Sequence, residues 1–106
     1  MKPSEIIRKG RSRLFQHGWC QHSFQDTEGR LCAFGALRAA TSTVPESFED
    51  SLDLPTQRAC LYLEKSIGPD KHWFPIVGWN DEPGRTFSEV VDLFDKAEKL
   101  AEADEA

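Results

Sequence analysis

The sequence predicts a mainly α-helical fold, a compact four-helix domain with a short β-hairpin after the first helix. Three observations lead there. Apolar residues recur at helical spacing in four stretches. Gly18, Gly68-Pro69 and the Thr86-x-x-Glu89 pattern mark where those stretches stop and start. A turn-forming run, Asp26-Thr27-Glu28-Gly29, lies between two short segments that can pair.

Ser4 is the expected N-cap of the first helix, which runs to about His17 with Ile6, Ile7, Leu14 and Phe15 as its apolar positions and Gly18 as its left-handed stop. Residues 21–24 and 30–32 then form the hairpin around the Asp26–Gly29 turn. Two strands alone are marginal in water, so they must lean on helices. Ala33 to about Thr41 is rich in alanine and leucine and reads as a short buried helix, the centre of the bundle, where Gly35, Ala36, Ala39 and Ala40 let another helix approach closely. Residues 41–54 turn polar, with Pro45 and the acids Glu46, Glu49, Asp50 and Asp53, and read as an exposed connection. Pro55 suits the first turn of a third helix with Ala59, Cys60, Leu63 and Ile67 on one stripe, ended by Gly68-Pro69.

Between residues 69 and 85, three prolines accompany His72, Trp73, Phe74, Ile76, Val77 and Trp79, which reads as an apolar loop. So much aromatic area must either lie over the core or form a docking surface. The last helix starts at the Thr86-x-x-Glu89 capping box and carries Phe87, Val90, Val91, Phe94, Ala97 and Leu100 over about 13 residues. Residues 1–101 read as a single helical domain and 102–106 as an acidic tail.

The chain has 106 residues, enough to bury a core without staples. Its apolar runs fall far short of the roughly 20 residues that span a bilayer, and no signal-peptide pattern follows the basic N-terminus. Three cysteines at irregular spacing point to reduced thiols, and the expected address is cytoplasmic. Acids outnumber bases 18 to 13, for a net charge of -5, a balance that phosphate backbones repel unless the cations are gathered. Arg8, Lys9, Arg11 and Arg13 lie on several sides of the first helix, so a solvated face is preferred to a nucleic-acid contact.

Three constellations could carry chemistry. Cys20 with a histidine, His72 as the distant partner and Asn80 or Asp81 orienting it, would make a cysteine hydrolase or transferase. A buried structural thiol is the simpler reading of Cys20. His17, Cys20, His22 and Cys32 are zinc-type ligands without the paired spacing of a structural site, so neither metal nor cofactor is assigned. Trp79, Asn80, Asp81 and Arg85 could form a small recognition surface on a stiff turn, though each of the first three also has a folding role available. Arg85 is the member that folding explains least. Trp73 and Phe74 complete the candidate binding set.

Gly18-Trp19-Cys20-Gln21, Asp26 to Gly29, Cys32-Ala33-x-Gly35-Ala36-Leu37 and Trp79-Asn80-Asp81-x-Pro83-Gly84-Arg85-Thr86-x-x-Glu89-Val90, in that order, resemble a small domain of unknown function found in actinobacteria and their phages. The resemblance runs from about Ile6 to Ala101. It implies a fold and a setting but no catalysed reaction, and Trp73-Phe74 and the acidic connection lie outside it. The expected function is therefore protein binding by a small cytoplasmic domain, a phage- or mobile-element-encoded modulator of a host factor. The alternatives are the Cys20-dependent enzyme and a nucleic-acid accessory protein using the first helix.

Overall fold

The first helix begins where a proline can be tolerated, because the fixed φ of Pro3 suits a first turn whose N–H groups have no helical partner. The computed structural model describes residues 1–41, 54–69 and 72–106, and among them runs α1 (Pro3–His17), α2 (Ala33–Thr41), α3 (Leu54–Ile67), α4 (Pro75–Asn80) and α5 (Phe87–Glu105). The acidic connection expected over 41–54 falls almost wholly outside the described residues.

Lys2, not Ser4, stands at the N-cap of α1, its backbone N–H donating to the Glu5 carboxylate at 3.1 Å. Ser4 is turned inward. Its N–H and hydroxyl both donate to Glu105, at 3.1 and 2.6 Å, so the acidic residues set apart as a tail continue α5 back to the start of the chain. Ile6, Ile7 and Leu14 are buried as expected, whereas Phe15 is exposed and meets Phe87 edge-on at 5.4 Å.

The β-hairpin is absent. The described residues between α1 and α2 contain only two isolated bridges, Trp19 with Leu31 in parallel and Gln25 with Leu31 antiparallel. The expected turn does form: the Asp26 carboxylate accepts the N–H groups of Glu28 and Arg30, and Gly29 takes φ +85°. A ladder fails because residues 21–24 bend away toward α4, with His22 itself at φ +70°. The loop instead presses onto α2, where a Cβ at Gly35 would fall 2.1 Å from the carbonyl oxygen of Phe24. Gly35 thus admits loop backbone, not a second helix.

The segment over 69–85 is a helix in its middle, α4, which replaces the expected loop and raises the helix count above four. Gly78 lets His72 lie against α4, since a Cβ there would come within 2.3 Å of the imidazole. α5 packs on α1 and α3, and α1 on α2, around Phe94, Ile6, Ile7, Leu14, Leu37, Leu63, Ile76 and Val90. On the outside of that contact, Arg8 reaches Glu98 at 2.8 Å and Arg11 bridges Asp95 and Glu98. No helix among the described residues is long and apolar enough to cross a membrane.

Candidate functional site

Asn80, the last residue of α4, is completely buried and joins three segments. Its Oδ1 accepts from the Trp19 indole N–H at 2.7 Å and from the Ala33 N–H at 3.0 Å, the latter a free donor at the start of α2. Its Nδ2 donates to the Cys20 carbonyl at 3.2 Å and to Asp81 Oδ1 at 3.0 Å. Gln21 adds a clamp from outside, its amide donating to the carbonyls of Asn80 and Glu82, each at 3.0 Å. A buried amide with every valence occupied holds three elements in one arrangement, because each alternative leaves a polar group unpaired.

Beside this hub opens a cleft of about 300 Å³ lined by His22, Ser23, Phe24, Cys32, Val77 and Asp81. Phe24, Val77 and the buried Cys32 give the lining its apolar part, and His22, Ser23 and Asp81 its polar part. Asp81 Oδ1 is occupied by the His22 and Asn80 donors, while Oδ2 lies 3.9 Å from His22 Nδ1, too far for a hydrogen bond. The His22 side chain is 75% exposed.

Cys20 and Cys32 are buried and Cys60 is half-buried. Cys32 stands at the N-terminus of α2, its sulfur accepting the Gly35 N–H at 3.3 Å, and burial pushes its pKa up to about 11. Cys20 donates its S–H toward the carbonyls of Ser23 and Arg30, and burial, followed by the charge of Asp26, raises its pKa as well. Cys60 is pushed up to about 12, again by burial first. Nucleophilic cysteine needs the opposite shift. Among the described residues no three His, Cys, Asp or Glu side chains are grouped to hold a metal ion.

An aromatic row leads away from the cleft. Phe24 packs on Phe34 at 5.3 Å, Phe34 on Phe74 at 4.9 Å, and Phe74 on Trp73 at 6.0 Å. The row ends in water, for Trp73 is 94% exposed.

The model of a protein family of unknown function, DUF6197, matches residues 1–100, nearly the whole chain. The chain belongs to that family. No curated protein and no solved structure matches it.

Within this DUF6197 domain the candidate residues divide by position. Trp79, Asn80 and Arg85 serve the fold: Arg85 donates to the Trp79 carbonyl at 2.9 Å, lies 3.9 Å from the centre of that indole ring and pairs with Glu89. Arg85, least explained by the sequence, is thus engaged on three sides. Asp81 faces the cleft, Phe74 is half-buried against Phe34, and Trp73 stands free of the core. His72 lies on Gly78, and Cys20 turns toward backbone carbonyls. Sequence reasoning missed His22, Ser23 and Phe24 as cleft residues because their role comes from the bend of their loop. The one local signal was the histidine between Cys20 and the Asp26 turn.

Proposed function

We propose that this DUF6197 domain acts by binding a protein, on the face that carries Trp73, the aromatic row and the His22–Asp81 cleft. The observation that carries this reading is the exposure of Trp73: the side chain with the most apolar area to hide stands in water beside an ordered row of rings. Tryptophan is the residue most enriched where interfaces concentrate their energy. The net charge of -5 suits a partner with a basic surface. The raised thiol pKa values weigh against cysteine catalysis, and the engagement of Arg8 and Arg11 by α5 weighs against a nucleic-acid role for α1. A cytoplasmic setting in actinobacteria or their phages, with a host factor as the target, belongs to the same proposal.

The test is a paired capture from a native host with the unaltered chain and with Trp73→Ala, followed by titration of the recovered partner against labelled protein. A partner retained by the first and lost by the second, with the helical spectrum and Tm unchanged and the Trp73 indole signal shifted in the titration, supports the reading. Equal retention by both chains, or loss of the fold in the variant, removes it.

A further inference from the structure

We infer that the cleft beside Asn80 is a receptor for one basic side chain, a lysine or arginine presented by the partner. The inference deepens the protein-binding reading and rests on it. A volume of about 300 Å³ lies at the small end of ligand sites, where a single side chain fits better than a cofactor. Phe24 and Val77 give the lining an apolar part, which matches the methylene stem of lysine or arginine. The head group then meets Asp81.

That carboxylate is built to receive a cation. Its Oδ1 is fixed by the His22 N–H at 2.9 Å and the Asn80 amide at 3.0 Å, so the group cannot rotate away without breaking the hub. Its Oδ2 accepts no hydrogen bond among the described residues and points at an imidazole nitrogen 3.9 Å distant. An ammonium or guanidinium N–H that enters from the open side of the cleft donates to Oδ2, and a carboxylate bond to a cation is the strong kind. An acidic ligand would meet Asp81 head-on, and a wholly apolar one would leave Oδ2 covered and unpaired.

The probes are the Nα-acetyl N-methylamides of lysine and arginine, with those of norleucine and citrulline as uncharged counterparts, each titrated into the whole labelled chain. The charged probes should move the amide signals of His22, Ser23, Val77 and Asp81 and bind about tenfold more tightly than the uncharged ones. Asp81→Asn should erase that difference, with the Trp19 indole N–H signal reporting that the hub is intact. Equal affinity of charged and uncharged probes, signals moving elsewhere, or no movement overturns the inference. Should the variant unfold, the four probes on the unaltered chain still decide. Failure here together with a partner lost on Trp73→Ala would leave protein binding standing, and charged-probe selectivity with a Trp73-independent partner would do the reverse.

Discussion

Asn80 is fully buried and spends its whole carboxamide on its neighbours. A carboxamide offers two acceptor and two donor positions, and here the Trp19 indole, the Ala33 N–H, the Cys20 carbonyl and Asp81 use them all. Asn80→Ala strands an indole N–H and a helix-start N–H in the interior, at a cost of about 1–3 kcal/mol each. Urea unfolding should therefore show a loss of roughly 3 kcal/mol, and a loss below about 0.5 kcal/mol would show that water replaces the amide. The thiols give a second expectation at this scale. With Cys32 near 11 and Cys20 also raised, both should react with a mild alkylating probe at neutral pH more slowly than free cysteine. Faster labelling of either would revive the enzyme reading.

Among the elements, α5 is the one whose start is written locally. Thr86 Oγ1 accepts the Glu89 N–H at 3.2 Å, and the Glu89 carboxylate accepts the Thr86 N–H at 2.9 Å. Thr86→Ala should cost about 1 kcal/mol in thermal or chemical unfolding. The Glu89 carboxyl is held below its ordinary 4.5, first by the Thr86 N–H and then by the Thr86 hydroxyl and Arg85, against a desolvation that opposes them. A lowered carboxylate adds stability that is fully present above the unfolded value and is lost as pH falls through the folded one. Glu89→Gln should accordingly flatten part of the stability loss below about pH 4.5, and an unchanged acid limb would contradict the assignment. α4 shows the opposite case. Six residues cannot nucleate a helix in isolation, so α4 exists because Ile76 reaches the core and Asn80 reaches the backbone of Cys20 and of Ala33 and the Trp19 indole.

For the whole molecule, the decisive closure lies between positions 101 apart, where Ser4 gives both of its donors to Glu105. Glu105→Ala should lower stability by about 1.5 kcal/mol, a drop in Tm of roughly 5–10 °C for a domain of this size, and an unchanged Tm would return residues 102–106 to the status of a solvated tail.

Four helical segments were legible because their signals are local: the stripe of α5 and its box, the alanine-rich run of α2, Pro55 and Gly68 around α3, and Gly18 after α1. The Asp26 turn was legible for the same reason, since an aspartate and a positive-φ glycine act within four residues. The ladder around it was not, because strand pairing competes with contacts to a helix some 60 residues away in sequence. Trp79, Asn80, Asp81 and Arg85 could be named from the chain as a group but not sorted, since an amide in the core and a carboxylate on a rim look alike until their neighbours are known. The sequence by itself determined the helices and their caps, through propensity and spacing that act over a few residues. Only the tertiary structure decided which polar groups were turned inward to be satisfied and which, with His22 and Trp73, were left facing water, because burial is a property of distant segments meeting.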